Sequence, residues 1–327
     1  MKKLHEESHS CIRSAWIHSE RRRRCALCKK TWTLRKKRRG RRRSPPDRNL
    51  LKKIFVERQR LKQIASVRLH RISSSGASRR LKRAMGRKEE KAIARGFNAP
   101  SYILLIDALW YRFGDQRYTL YLRALRRMNG HTARFLPPLL LSGKESLTGW
   151  QATIDDINPN LRSRIYAVVS DGWRGIERLA RENDWILQRC HFHLISQLQV
   201  NRGRWKRLPD QSMREEIYQI ARKLLVTKMR VRWYKERLTL LIRHPDCHKR
   251  LKAIVHDYLR RLRYFRSYLN HPELNLPYTT NAMESMNKQV RQICRPLRTP
   301  ASLLRWATHF LKFNQEIVCN GVKTPQN

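Results

Sequence analysis

Two short apolar runs in the middle of the chain each end at an aspartate. Residues 102–106 form a continuous apolar run that fits a strand buried on both faces, and Asp107 follows it. Residues 165–169 form a second, β-branched run, and Asp171 and Gly172 follow. Further strands are predicted over 118–125, 132–142 and 185–188, and helices over 145–154 and 175–183. This order predicts an α/β sheet with helices on its faces, and Pro137-Pro138 predicts an edge or a bulge.

Residues 194–275 have a different periodicity. Their apolar residues recur at i, i+3 and i+4, which predicts a block of three or four helices. The segment from residue 279 onward is also predicted to be helical, with an apolar face formed by Met283, Met286, Val290 and Ile293. An adjacent face presents a carboxylate, an amide and two cations at helical spacing, namely Glu284, Asn287, Lys288 and Arg291.

The first hundred residues lack such strand patterns. Apolar spacing predicts a helix over 51–70, and a short basic helix follows over 77–85 after the break at Ser73-Ser74-Ser75-Gly76. Two helices around a short turn are compatible with a helix-turn-helix, although many helical hairpins share this pattern. If this segment is a helix-turn-helix, the candidate DNA contacts are Arg79, Arg80 and Lys82.

The charge of the chain points to a polyanionic partner. Its 73 Lys and Arg outnumber 25 Asp and Glu, which gives a formal net charge of +48. The sequence has no apolar stretch of 18 residues and no signal-peptide core near Met1, so a cytoplasmic protein bound to nucleic acid, with no membrane partner, is expected. The basic runs are candidate phosphate contacts or, alternatively, a solvated linker or address tag; they contain Arg21, Arg22, Arg23, Arg24, Arg38, Arg39, Arg41 and Arg42. Such runs are rarely ordered when free.

A cysteine pair near the N-terminus suggests a zinc site. Cys25 and Cys28 have the spacing of a zinc knuckle, with Cys11 and His18 as the candidates for the other two ligands. His9 could replace His18, and no second CxxC exists. A degenerate knuckle without metal is the alternative. The seven cysteines do not form a disulfide framework and are expected to be reduced.

Asp107 and Asp171 are candidate metal ligands because strand ends converge at the edge of a sheet. A buried carboxylate must be paired, protonated or metal-bound, and Mg²⁺ prefers oxygen ligands. Each aspartate has a structural alternative, because Asp-Gly is a common turn and Asp often caps a loop. Glu284 could complete the site, although Asn281 and Glu284 also have the spacing of a capping box.

Four motifs, taken in order, resemble the Mutator-like transposases, which in bacteria are the IS256 group. They are Asp107, Val-Ser-Asp171-Gly, Arg189-Cys-His-Phe-His193, and Thr280-Asn-Ala-Met-Glu284-Ser-Met-Asn287, and the resemblance covers roughly residues 100–315. The family's C/D-x-x-H signature corresponds to Cys190 and His193. Its T-x-N-x-x-E-x-x-N stretch is approached by Thr279, Asn281, Glu284 and Asn287. The knuckle and arginine runs match less closely.

The resemblance implies an RNase H-like fold with a triad of Asp107, Asp171 and Glu284. It implies two Mg²⁺ (or Mn²⁺) ions, cleavage of DNA at terminal inverted repeats, and strand transfer into target DNA by at least a dimer. A mostly helical insertion is expected before the glutamate, and 112 residues separate Asp171 from Glu284. The expected location is the bacterial cytoplasm, associated with the nucleoid through DNA. The alternatives are a transposase-derived DNA-binding protein without catalysis and an RNase H-like structure-specific nuclease.

Two motif residues remain open to more than one interpretation. Cys190 and His193 form either a zinc half-site or a structural or DNA-facing element beside the active site, and the second is favoured because no other ligand cluster is near in sequence. Trp173 either stacks on an unpaired base or, more commonly, packs against the following helix. The predicted domains are a zinc-knuckle-like segment over 1–34, a basic linker over 35–48, a helix-turn-helix-like region over 49–98, a catalytic domain over 99–315 with its insertion at about 196–276, and a tail over 316–327.

Overall fold

The computed structural model describes residues 11–17, 20–25, 31–33, 48–59, 74–86, 97–203 and 210–319. The chain divides into two compact units, Met1–Asp47 and Arg48–Asn327. The first unit contains a three-stranded antiparallel sheet of β1 (Cys11–Ile17), β2 (Glu20–Cys25) and β3 (Thr31–Thr33), with β2 in the middle. The run from Arg21 to Arg24 is therefore part of a paired strand, whereas the sequence suggests an unordered basic segment.

The proposed zinc ligands are only partly within the described residues. The register of β1 and β2 places Cys11 opposite Cys25. His18 and Cys28 lie outside the described residues, as do Arg38, Arg39, Arg41 and Arg42. Zinc binding at this unit stays a prediction.

The second unit is built on a mixed seven-stranded sheet. Its strands are β4 (Tyr102–Phe113), β5 (Gln116–Arg127), β6 (Thr132–Phe135), β7 (Leu139–Ser142), β8 (Ile165–Ser170), β9 (Ile186–Arg189) and β10 (Glu316–Val318). The order is β10-β6-β5-β4-β8-β9, and β7 also pairs with β5. Strands β4, β8 and β9 are parallel, and the other pairs are antiparallel. The predicted α/β class is confirmed, since the unit combines a mixed sheet with helices.

The hairpin of β4 and β5 extends beyond the parallel part of the sheet. Strand β8 pairs with β4 only up to Leu105, whereas β5 pairs with β4 over its full length to Phe113. Pro137 and Pro138 separate β6 from β7, and both of these short strands pair with β5. The two prolines therefore interrupt an edge of the sheet, as the sequence predicts.

Helices cover both faces of this sheet. They are α1 (Arg48–Phe55), α2 (Ser74–Gly86), α3 (Leu147–Asp155), α4 (Pro159–Arg162), α5 (Ile176–Glu182), α6 (His191–Asn201), α7 (Gln211–Val226), α8 (Val231–Arg243), α9 (Lys249–Arg260), α10 (Leu262–Phe265), α11 (Ser267–Asn270), a 3₁₀ turn (Pro272–Leu274), α12 (Asn281–Cys294) and α13 (Pro300–Phe313). One face of the sheet shares a core with α1, α2, α12 and α13, and the other with α3 and α5. No helix within the described residues is both long and apolar enough to span a membrane.

The described part of the segment between β9 and α12 is mainly helical, as its apolar spacing predicts. Helices α6 to α10 share a core of their own, which includes Leu194, Leu224, Leu238 and Val255. The apolar faces of these helices pack against one another, so the block has a small core of its own beside the sheet.

Several predicted boundaries differ from the structure. The strand expected over 102–106 continues as β4 to Phe113, so Asp107 lies inside the strand and does not end it. Helix α1 ends at Phe55, and Arg58 after it has a positive φ of 55°. Residues 60–70 of the helix expected over 51–70 lie outside the described residues. The expected break at Ser73–Gly76 lies partly inside α2, which begins at Ser74. The expected tail from residue 316 begins with β10, which pairs with β6. A three-residue strand is too short for periodicity to reveal.

Candidate active site

Three carboxylates lie on three neighbouring elements of the second unit. Asp107 belongs to β4, Asp171 directly follows the adjacent parallel strand β8, and Glu284 lies in the first turn of α12. Helix α12 packs across β4, so it brings Glu284 close to Asp107. The charges of Asp171 and Glu284 both raise the pKa of Asp107, which indicates that the three groups are close together.

Asp107 is buried and bound by two donors. The Ala108 backbone N–H donates to Oδ1 at 2.8 Å, and Asn287 Nδ2 donates to Oδ2 at 2.5 Å. Burial, with the repulsion from Asp171 and Glu284, raises the pKa of Asp107 to about 8. Burial and the two neighbouring carboxylates therefore favour the protonated form of Asp107 when no cation is bound.

Glu284 is directed at a histidine and away from its own helix start. Its Oε1 lies 3.0 Å from His193 Nε2. The capping residue of α12 is Thr280, which makes no side-chain cap bond. The interaction with His193 lowers the pKa of Glu284 although burial opposes this. Burial also opposes charge on His193, but the interactions with Cys190 and Glu284 raise the imidazole pKa to about 10.

Cys190 joins the strand that leads to Asp171 with the helix that carries Glu284. Its backbone N–H donates to the Ser170 carbonyl at 2.8 Å. Its Sγ accepts hydrogen bonds from the backbone N–H and Oγ1 of Thr280, at 3.2 and 3.1 Å. Burial would raise the pKa of the thiol, but His193 and Thr280 lower it. These contacts correspond to the structural interpretation of Cys190 and His193.

Asp171 sits in a tight turn. Its Oδ1 accepts from the Trp173 backbone N–H at 3.1 Å and from Ser170 Oγ at 3.2 Å. Gly172 has a φ of +98°, which favours glycine, and a Cβ there would lie 2.1 Å from the Arg189 guanidinium. The turn therefore fixes Asp171 through local bonds, and it does so without preventing the carboxylate from facing Asp107.

Arg189 supports this turn, and its role was not foreseen from the sequence. Its Nη2 donates to the Gly172 carbonyl at 3.1 Å, and its guanidinium lies 4.7 Å from the centre of the Phe265 ring. Burial, with repulsion from Arg261, lowers the pKa of Arg189 to about 10. Arg189 ends β9 and begins the Arg189–His193 motif, but neither position indicates that its partner is the Gly172 carbonyl.

Trp173 packs as the more common alternative predicts. Its side chain is half-buried against the core that includes Ile176 and Leu179. The ring covers Gly175 so closely that a Cβ there would lie 1.9 Å from it. The indole is therefore held against the start of α5.

The predicted polar stripe of α12 lies beside Glu284. A shallow groove of about 280 Å³ is lined by Glu284, Asn287, Lys288, Arg291, Gln292 and Arg295. Lys288, Arg291 and Arg295 are exposed and follow one another at helical spacing. Asn281 is exposed at the helix start, and Arg79 and Lys82 are exposed on α2, where Arg80 is half-buried.

The donor chemistry of the site fits a hard divalent cation. Three carboxylates crowd one another, and this crowding contributes to the raised pKa of Asp107. Within the described ranges, no three His, Cys, Asp or Glu side chains are oriented to hold an ion as a group. Asp107 and Glu284 are instead engaged by Asn287 and His193. The residues fit the ion, and side-chain rotation would be needed to bind it.

Comparison with known proteins agrees with the motifs. No curated protein sequence matches the chain. Residues 138–300 match the family model described as "Transposase, Mutator family". The matched region runs from β7 to the start of α13, and it contains Asp171, Cys190, His193 and Glu284 but not Asp107. The match supports the assignment of this part of the chain to the Mutator family of transposases.

Proposed function

We propose that the chain is a DNA transposase of the DDE type, with Asp107, Asp171 and Glu284 as the catalytic triad. The observation that carries this proposal is the convergence of two partly exposed carboxylates, Asp171 and Glu284, on the buried Asp107. Asp107 and Glu284 interact directly although they are far apart in sequence, and Asp171 raises the pKa of Asp107. Clustering of carboxylates whose pKa values diverge is typical of catalytic centres.

An RNase H-like catalytic domain is part of the proposal. The mixed sheet with β4 between antiparallel β5 and parallel β8 supports it. The helical block between β9 and α12 supports the insertion that the IS256 group implies. The domain boundaries stay those inferred from the sequence.

Two Mg²⁺ or Mn²⁺ ions, held by the triad, are the proposed cofactors. When bound, such ions polarise a phosphodiester and make a water or a 3′-hydroxyl more nucleophilic. Asp107 must give up its proton to act as a ligand, while Asn287 holds its second oxygen. His193 orients Glu284, and the exposed Lys288 and Arg291 are suited to contact DNA phosphates.

The proposed substrates are the terminal inverted repeats of an insertion sequence and a target DNA. The three-stranded N-terminal unit, with its arginine-rich β2, and the basic helix α2 are the proposed repeat-binding segments. Strand transfer joins two ends, so at least a dimer is proposed on DNA. Association with the bacterial nucleoid would follow from DNA binding.

The test is Mg²⁺-dependent cleavage of a terminal-repeat duplex by the full chain. Asp107→Asn, Asp171→Asn and Glu284→Gln should each lower the cleavage rate by about 1,000-fold. Each change removes a charged metal ligand, and the metal ions stabilise the transition state by several kcal/mol. DNA binding should be retained. The matched control is Asp246→Asn, which changes an exposed carboxylate in the helical block and should cleave like wild type.

Two outcomes would replace the proposal. Wild-type protein that binds the repeats but shows no metal-dependent cleavage would be a transposase-derived DNA-binding protein. Cleavage of branched DNA irrespective of its end sequence would indicate a structure-specific nuclease. Glu284→Gln with wild-type activity would remove that residue from the triad.

A further inference from the structure

A second groove begins beside the triad on the opposite face of β4. It has a volume of about 520 Å³ and is lined by Ala108, Trp110, Arg112, Arg117, Thr119, Gly143, Lys144 and Glu145. These residues lie on the β4–β5 extension and on the loop after β7. We name it the Trp110 groove.

Trp110 is unusually exposed for its size. Its side chain is 76 % exposed, whereas Leu109 beside it is buried. Scattered apolar residues on a surface are common, but an indole on an exposed strand presents its whole ring face to solvent. The ring is available for stacking, in contrast to that of Trp173.

The groove also carries cations. Arg112, Arg117 and Lys144 are exposed along it. Arg112 forms an ion pair with Asp115 at 3.2 Å, but both side chains are largely exposed and the pair is weak. Glu145 is the one acidic side chain in the lining, and Trp150 Nε1 donates to it at 2.7 Å. Three cations against one carboxylate favour an anionic occupant.

The groove begins one residue beyond Asp107 on β4, past the last residue of β4 that pairs with β8. Ala108 directly follows Asp107, and strand alternation directs their side chains to opposite faces of β4. At the other side, burial and the charge of Asp171 raise the pKa of Glu145 to about 7, although the bond from Trp150 opposes this. Asp171 is therefore close to the groove wall.

We propose that the Trp110 groove binds an unpaired segment of DNA strand next to the phosphodiester at the triad, with Trp110 stacked on a base. Arg112, Arg117 and Lys144 would contact the adjacent phosphates. Bases in a duplex are stacked within the helix and expose only their edges, so an indole face is suited to a base that has left the stack. This inference rests on the proposed function, because it names a feature of that enzyme's substrate.

Binding without metal separates this inference from the proposed function. The probe is a single-stranded oligonucleotide of about 12 nucleotides, within the usual range of sites for unpaired strands, and a duplex of the same sequence is the reference. Trp110→Ala in the full chain should weaken single-strand binding by about 10- to 100-fold, the equivalent of one stacked base, and change duplex binding less than about 2-fold. Trp110→Phe should restore most of the affinity. Trp233→Ala, a second exposed tryptophan on α8, is the matched control and should bind like wild type.

Cross-linking locates the contact directly. A 5-iodouracil at the unpaired position of a duplex with one unpaired flank should cross-link to the peptide that contains Trp110. A cross-link only to other peptides, or equal single-strand affinity of Trp110→Ala and wild type, would overturn the inference. A change of oligomeric state in Trp110→Ala without a change in binding would make the groove a contact between copies. Loss of single-strand affinity in a protein that never cleaves DNA would preserve the groove and reject the transposase.

Discussion

At the scale of single residues, His193 connects the glutamate of the site to the rest of the protein. Its Nε2 lies 3.0 Å from Glu284, and Cys190 and Glu284 together raise the imidazole pKa to about 10. The histidine is therefore charged at neutral pH and paired with the carboxylate. We expect His193 to act by holding Glu284 in place, and this role does not require contact with DNA.

His193→Gln should reduce cleavage by about 10- to 100-fold, as is usual when a residue that orients a metal ligand is lost. The Mg²⁺ concentration for half-maximal rate should rise, because Glu284 is no longer held. Titration of cleavage rate against Mg²⁺ measures both effects. His256→Gln, which alters an exposed histidine on α9, is the control. A lower rate at an unchanged Mg²⁺ requirement would argue for another role.

A second histidine makes the fold sensitive to acid. His191 is buried, its Nε2 lies 2.6 Å from the Phe265 carbonyl, and burial lowers its pKa to about 4. The unfolded value is about 6.5, so the unfolded chain binds the proton first as pH falls. The stability that neutral His191 contributes is present above about pH 6.5 and is lost as pH falls towards 4.

Between pH 7 and pH 5, wild type should lose about 2 kcal/mol more stability than His191→Gln, which cannot titrate. Urea unfolding of both proteins at the two pH values measures the difference. The variant should be less stable than wild type at pH 7, because its side chain fills the site less well. Equal pH dependence in the two proteins would show that His191 does not control this transition.

At the scale of elements, the turn after β8 is the most constrained connection of the site. Gly172 has a φ of +98°, and the Arg189 guanidinium occupies the place where a Cβ would lie. Gly143 has a similar φ of +100° but open space around it. The two glycines therefore differ in crowding and not in backbone conformation.

Gly172→Ala should lower the free energy of unfolding by about 1 kcal/mol more than Gly143→Ala does. Both variants place an alanine at a positive φ, but only Gly172→Ala displaces a buried, hydrogen-bonded guanidinium. Denaturant midpoints of the two variants measure this. Cleavage should fall further in Gly172→Ala than in Gly143→Ala if the turn sets the position of Asp171. Equal destabilisation would mean that Arg189 moves aside without loss.

The sequence predicted most of these elements because buried strands and helical stripes have strong periodicity. Asp171 follows the end of β8 as the sequence predicts, whereas Asp107 lies inside β4, which is longer than its apolar run. The stripe from Glu284 to Arg291 lies on one face of α12. Side-chain partners over long distances were not predictable. Arg123 and Arg126 are fully buried in β5, where Arg123 bonds Asp156 at 2.6 Å and Arg126 bonds the Asn275 carbonyl. From the sequence alone, charged residues in a strand are expected to be exposed. The hydrogen-bond acceptors of Arg123 and Arg126 are distant in sequence, so their burial could not be predicted.

At the scale of the whole molecule, charge dominates. A net charge of +48 is carried by a chain whose proposed catalytic centre is acidic. Lys288, Arg291 and Arg295 line the groove that begins at Glu284. Cations close to the triad are suited to hold the phosphodiester against the repulsion of three carboxylates.

Binding of the terminal-repeat duplex should weaken steeply with salt. The slope of log affinity against log salt should fall by about 1 for each of Lys288→Gln, Arg291→Gln and Arg295→Gln, since each removes one phosphate contact. Affinity measured over a series of salt concentrations gives this slope. Arg250→Gln, an exposed site on α9, is the control. Unchanged slopes in all three variants would place the duplex elsewhere on the protein.

The distance along the chain between Asp107 and Glu284 also matters during synthesis. At about 5–20 residues per second, a ribosome needs about 10 to 35 s to proceed from one residue to the other. During that time the face of β4 that α12 will cover is open, while the basic segments before residue 100 have already emerged. A translation product that stops before α12 would keep the segments proposed to bind DNA but lack Glu284. If those segments bind the repeats, we expect such a fragment to compete with the full protein for the same DNA and to inhibit it.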